Sequence, residues 1–240
     1  RTCAWVYMLG HGGGIVSGDR IRMRVNVREG STGVITTQAS SKIFQSMSGK
    51  VSRQGMVVNI EHGALLAVIV DPVVPYAQSR YIQRQKFFIA GKQGDRKAGS
   101  LLLIDWFTSG RHACGEVWDA DYFETLNDVF LDGRLLLHDG LVLDKNDKSG
   151  LTMKDRMLPF HCYANVIVLG PRLLRVSSRI LTDVSHREQE VLKRTGKEKL
   201  REEQVSDGLA CSASKLGEDG VFLRVAGRSY MEVEEFLRTS

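Results

Sequence analysis

The sequence lacks the features that announce several common function classes. No apolar run reaches the roughly 18 residues that a membrane span requires. The four cysteines, Cys3, Cys114, Cys162 and Cys211, lie far apart and form no C-x-x-C pair. That spacing argues against a zinc ribbon and against a dense disulfide framework, and it leaves four reduced thiols as the simplest reading. Neither charge sign is in large excess. The net charge is +5 over 240 residues, and apart from Arg194–Arg201 the basic residues are scattered. A nucleic-acid surface is therefore not indicated. No Gly-x-Ser-x-Gly string, internal repeat or low-complexity linker occurs, and no β-α-β alternation that would build a doubly wound parallel sheet. The chain starts in mid-strand, without Met or a signal peptide, and stops inside a helical pattern, so it reads as an excerpt of a longer protein.

What is present is ordinary globular composition, 42% hydrophobic and 25% charged, with a strong period of two. Ile21, Met23, Val25 and Val27 alternate with polar residues, which predicts a strand with one wet face. The turn Glu29–Gly33 and the β-branched run Val34–Thr37 follow, and the two runs read together as a hairpin. Further strands are expected at Val51–Ile60, Ala64–Val70, Arg80–Phe88, Leu101–Phe107, Glu116–Phe123, Asn127–Leu131, Arg134–Leu143 and Tyr163–Leu169. After Gly170-Pro171 the period changes. Leu173, Val176, Ile180, Val184 and Val191 predict one long amphipathic helix over 171–193, with Pro171 suited to its first turn. A charged loop or helix end (Arg194–Asp207), two short strands (Leu209–Ser214 and Gly220–Ala226) and a helix from Ser229 complete the pattern. The expectation is one mainly β domain spanning 1–240, with β-helix-like or layered sheets and two helices in the C-terminal third.

The glycine-rich stretch Gly10-His11-Gly12-Gly13-Gly14-Ile15-Val16-Ser17-Gly18-Asp19 invites two chemical readings. His11–Gly14 matches the oxyanion-hole string of esterases, but the nucleophile elbow that fold requires is missing. The glycine spacing also resembles a phosphate loop, yet Asp19-Arg20 stands where lysine is needed and a strand follows in place of a helix. A tight bend that sets Asp19 at the mouth of the hairpin, facing a wet interior, accounts better for the glycines. His112 and Cys114, two apart in a strand, would share a face and reach one ion; the alternative is a solvated His112 after a polar turn. Carboxylates inside apolar runs say more. Asp105, Glu116 and Asp139 would be costly unless paired, hydrated or coordinating. Each has a salt-bridge reading, for example with Arg111 or Arg134. Taken together they would line a wet path for a cation, because oxygen ligands hold divalent ions loosely enough to release them.

Five ordered segments carry a family resemblance. They are Gly12–Asp19, Thr36–Phe44, Asp71–Tyr76 with Tyr81 and Gln83, Asp105–Arg111 with Gly115-Glu116, and Asn127–Gly133. They resemble the urease accessory protein D family (UreD, also called UreH) in its plant-like and fungal versions, over essentially the whole chain. The resemblance implies a β-helix-like fold with two helices. It also implies a cytoplasmic, non-enzymatic chaperone of nickel delivery that binds apo-urease and the accessory protein F with the GTPase G in a dimeric heterocomplex. No tightly bound cofactor is implied, only nickel in transit through a water-filled tunnel. The family's important polar positions fall on Asp19, Ser41, Lys42, Asp105 and Asp139, with Glu116 in a family motif of its own. Transient nickel contacts would come from Asp19, Asp105, Asp139, His112 and Cys114. Gln38-Ala39-Ser40 departs from the bacterial Pro-Gly-Ala type. The other readings are a β-rich protein-binding module without a metal role and an esterase using the His11 loop.

Overall fold

Each alternating strand must bury one apolar face, and the chain does this by winding. The computed structural model describes residues 2–195 and 208–239. Its first nine strands fall into three triplets: β1 (Ala4–Met8), β2 (Gly14–Ile15) and β3 (Arg20–Val27), then β4 (Thr32–Thr37), β5 (Ser41–Ile43) and β6 (Ser52–Ile60), then β7 (Leu65–Ile69), β8 (Val73–Pro75) and β9 (Arg80–Ile89). Each strand lies parallel to its counterpart in the next triplet. Ala4 faces Gly33 and Thr32 faces Leu65 in the first column; Arg20 faces Arg53 and Ser52 faces Tyr81 in the third. β10 (Ser100–Thr108) extends the first column and β11 (Tyr122–Leu131) the third, both in parallel. Parallel neighbours need long crossovers. Here the other strands of each coil serve, so no helix is required. The result is a solenoid whose structural repeat has no counterpart as a sequence repeat.

The winding then stops. β12 (Arg134–Asp144) turns back antiparallel on β11 and closes a five-stranded sheet in the order β12-β11-β9-β6-β3. β13 (Cys162–Leu169), β15 (Gly220–Gly227) and β14 (Leu209–Lys215) extend the other sheet antiparallel from β10. The short helix α1 (Met153–Met157) precedes β13. On the outer face of β13, β15 and β14 lie α2 (Leu174–Thr195) and α3 (Tyr230–Thr239). Their Ile180, Val184 and Val233 pack with Val166, Leu223 and Val225. Between the two sheets lie two apolar cores. One contains Val58, Leu66, Phe87, Leu101, Leu103, Val129 and Ile167, the other Ile43, Tyr81, Phe107, Phe123, Leu143 and Met157.

The mainly β, β-helix-like expectation holds, with α1 as an additional short helix. Its signature is the capping box of Thr152 and Asp155, and five residues are too few to show a period. The predicted hairpin over residues 20–37 does not form. β3 belongs to the five-stranded sheet and β4 to the other. The turn between them is tied to the matching turn of the next coil: the Gly30 amide donates to the His62 carbonyl. The Glu61 carboxylate accepts from the Glu29 amide and from Arg28, each at 2.9 Å. Turn stacks on turn, so the chain changes sheets where a hairpin would have reversed it. The expected strand Glu116–Phe123 is a loop as far as Asp121, and β11 then runs unbroken through Leu131. The long helix is preceded by a 3-10 turn at Pro171–Leu173. All four cysteines are unpaired. Residues 196–207, most of the charged Arg194–Asp207 segment, lie outside the described residues.

Two glycines fix close approaches. A Cβ on Gly14 would stand 2.6 Å from the Lys42 carbonyl oxygen and from the Phe44 ring, so the first coil seats on the second only with glycine there. Gly170 joins β13 to the turn before α2 at φ 102°, and a Cβ would stand 2.4 Å from the Gly99 carbonyl oxygen. Gly170→Ala is expected to destabilise the protein by about 2–4 kcal/mol through backbone strain and overpacking. The measurement is a urea titration, read as a lower midpoint at unchanged slope.

Candidate functional site

A layer of polar side chains separates the two inter-sheet cores. Along β10 the inward positions read Leu101, Leu103, Asp105 and Phe107: two residues in one core, a carboxylate, then the other core. β9 places Tyr81, Gln83, Gln85 and Phe87 inward, and β11 places Phe123, Thr125, Asn127 and Val129. Parallel register sets Gln83 beside Thr125 and Gln85 beside Asn127. On β12, Asp139 pairs with Asn127 across the antiparallel ladder. β13 supplies Asn165 opposite Asp105, and β15 supplies Arg224 opposite Asn165.

Asp105 is 5% exposed and has no cation beside it. Its carboxylate accepts from three neutral donors: Gln83 Nε2 at 2.7 Å, Asn127 Nδ2 at 2.7 Å and Thr125 Oγ1 at 2.9 Å. The Tyr81 hydroxyl donates to Gln83 and to Gln54, each at 3.0 Å. Gln85 Nε2 donates to Asn127 Oδ1 at 2.9 Å. Burying a carboxylate costs several kcal/mol, and a hydrogen bond to a charged group returns about 1.5–3 kcal/mol. Here burial outweighs the three hydrogen bonds. It pushes the Asp105 carboxyl above the ordinary aspartate range, against the three hydrogen bonds, with the Asp139 charge adding to the rise. Burial, with the Asp105 charge beside it, pushes the Tyr81 hydroxyl up as well. Asp139 is satisfied differently. Its oxygens accept from Asn165 Nδ2 at 2.8 Å and from Arg224 Nη2 at 3.1 Å, and the Arg224 side chain is itself mostly exposed. The seam therefore runs from Gln54 on β6, through Asp105, to a guanidinium at the surface.

The other predicted residues lie elsewhere. Asp19 is half-buried, and its carboxylate accepts from the Val16 amide at 3.1 Å, closing its own turn. Ser52, 1% exposed, holds that turn by donating to the Val16 carbonyl and accepting from the Gly18 amide. No hairpin mouth exists for Asp19 to occupy, and no hydrogen bond among the described residues links it to Asp105. Ser41 and Lys42 sit on β5, half-buried and exposed respectively. The side chain of His11 lies outside the description.

Glu116 is a structural clamp. Its carboxylate accepts from Arg111 Nε and Nη2 and from the Ala77 amide, while the Arg111 guanidinium lies 4.0 Å from the Tyr76 ring centroid. The Arg111 hydrogen bond holds Glu116 below the ordinary glutamate range. The salt-bridge reading therefore holds for Glu116, whose partner is Arg111, while Asp105 pairs with neither Arg111 nor Arg134. His112–Cys114 is a 3-10 turn. At about three residues per turn, side chains two apart diverge, so the shared strand face expected for His112 and Cys114 is absent. Among the described residues no group of three or more His, Cys, Asp and Glu side chains could hold a metal ion. Sequence reasoning missed Gln85, Thr125, Asn165 and Arg224. The clearest signal was Gln85, a polar residue at an inward position of an alternating strand between the buried Tyr81 and Phe87.

Comparison with known proteins places the chain in a family. The family described as UreD urease accessory protein matches residues 1–240. The urease accessory protein D of Arabidopsis thaliana is 34% identical, over 98% of this chain and 80% of its own. UreD of Anaeromyxobacter is also 34% identical, over 98% of this chain and 71% of its own. Urease accessory protein D of Oryza sativa subsp. indica is 35% identical over 75% of this chain, and the match spans 56% of the rice protein. The chain belongs to the urease accessory protein D family.

Proposed function

We propose that this chain is a non-enzymatic, cytoplasmic scaffold. In this reading it binds apo-urease and the accessory F–G GTPase complex and passes nickel(II) to the urease active site. The observation that carries the reading is Asp105: a buried carboxylate with three neutral hydrogen-bond donors and no cation, in a polar seam that crosses the interior to Arg224. A purely structural core would gain by exchanging such a group for an apolar one. Carboxylate and amide oxygens suit a divalent ion that must leave again better than thiolates do. Asp139 would act with Asp105, its charge held at the surface end by Arg224. Asp19, Ser41 and Lys42 would contribute by shaping the first two coils.

Asp105→Asn keeps size and removes charge. Urease matured with this variant is expected to carry little nickel and little activity, while binding of accessory protein F stays normal. Full nickel content in urease under those conditions would sink the conduit.

Asp105 also sets a pH dependence. Its folded pKa lies above the unfolded value of about 3.9, so ionisation is resisted more in the native state. Its favourable contribution is fully present below the unfolded pKa and is lost as pH rises through the folded one. Urea midpoints taken across that range should show wild type losing stability relative to Asp105→Asn as pH increases. A difference that grows in the opposite sense would contradict the burial argument.

A further inference from the structure

The outer face of the five-stranded sheet carries its charges unevenly. On β9, β11 and β12 bases and acids are matched. Arg84 meets Glu124 at 2.7 Å, Lys86 meets Asp128 at 4.0 Å, and His138 Nδ1 lies 2.7 Å from the other Asp128 oxygen. On β3 and β6 they are not. Arg20, Arg22 and Arg24 occupy successive outward positions of β3, and Arg53 stands beside Arg20 on β6. All of these arginines are exposed. Among the described residues Arg20, Arg22 and Arg24 take part in no ion pair. Gly55 brings no side chain to this face, and it lies in register with Arg22 on one side and Arg84 on the other. The sheet is dented there into a groove of about 510 Å³. Arg20, Arg22, Arg53, Gly55, Ile82 and Arg84 line it among others, and no carboxylate among the described residues does.

We infer that this groove docks an extended, acidic segment of a protein partner. Like charges directly opposite one another destabilise a sheet, so Arg20 and Arg53 work against the fold unless something anionic covers them. Charge on an edge strand deters unwanted pairing, which accounts for β3 but not for Arg53 one strand further in. The class of partner follows from the geometry. Alternate residues along a strand are about 6.6 Å apart and neighbouring strands about 4.8 Å. The guanidinium row therefore matches carboxylates at alternate positions of an extended chain. Arginine forks bind carboxylates through two parallel hydrogen bonds. No aromatic side chain among the described residues lines the groove, whereas single-stranded nucleic acid relies on aromatic stacking. Ile82 and the Gly55 backbone instead offer a floor to the segment's other side chains. The inference goes beyond the passage of nickel and does not depend on it.

The test is calorimetric titration of the whole chain with a short synthetic peptide that alternates glutamate and threonine. Binding is expected at low salt and should weaken as salt rises. Arg22→Glu and Arg53→Glu should each weaken it by about tenfold or more. Arg96→Glu makes the same change of net charge on the exposed loop beyond the far end of β9, and it should bind as wild type. The double variant of Arg22 and Arg53 should instead bind the peptide that carries lysine in place of glutamate. Urea midpoints separate docking from a structural role. Arg53→Glu should keep or raise the midpoint, because an attracting pair replaces a repelling one. No binding of the glutamate peptide, an equal loss in Arg96→Glu, or a lower midpoint in Arg53→Glu would each overturn the proposal. So would tighter binding of an oligothymidylate of equal charge, which would make the groove a nucleic-acid surface. The conduit is scored on the nickel content of urease and the groove on peptide affinity, so either can fail alone.

Discussion

A carboxylate without a cation, held between two sheets, constrains everything around it. Asp105 belongs to β10 in one sheet, and its three donors stand on β9 and β11 in the other. The hydrogen bonds therefore fix the register of one sheet against its neighbour. A slip of two residues on β9 would put Tyr81 or Gln85 where Gln83 stands, and a slip of one would turn the whole inward set to solvent. Apolar cores tolerate repacking of similar volumes. A buried charge with directional partners does not, because each lost donor leaves it with an uncompensated penalty.

Parallel coils explain why the polar residues come as a layer. In a stack without stagger, a residue on one coil lies beside its counterpart on the next. Tyr81 lies beside Phe123, Gln83 beside Thr125, and Gln85 beside Asn127. On the outer face Phe88 stacks on Phe130 with centroids 4.8 Å apart. A single buried polar residue would face apolar neighbours above and below. A polar row lets amides bond along the stack, as Gln85 does to Asn127. The seam is thus a property of the column, and each member makes the others affordable.

Much of this was legible in the residues. Period two located the long strands, and the change of period located α2. The embedded carboxylates Asp105 and Asp139 stood out against their apolar runs. What remained hidden depended on contacts distant in sequence. Residues 20–37 look like a hairpin because local chemistry is the same for a reversal and for a change of sheet; the Glu61 carboxylate and the His62 carbonyl decide between them. The partners of Asp105 were expected to be cations because charge is what a sequence displays. Neutral donors at Gln83, Thr125 and Asn127 become visible only when β9 and β11 are known to be neighbours. The shared strand face expected for His112 and Cys114 is absent for a simpler reason. Their spacing means a shared face in a strand and divergent directions in a 3-10 turn.

The clamp at Glu116 links the motif residues to the histidines. Ser109, Gly110, Arg111, Gly115 and Glu116 form a loop closed on itself: the Trp118 amide donates to the Ser109 carbonyl, and the Cys114 amide to that of Arg111. Gly110, at φ 128°, runs so close to the Glu116 and Pro75 carbonyls that a Cβ would stand 3.0 Å from each. Arg111 reaches back to Glu116 and covers Tyr76. Their combined effect is to hold His112 over His161, whose own ring is set by Ser109. Much of a motif that looks like reactive polar equipment is committed to holding the shape of this loop.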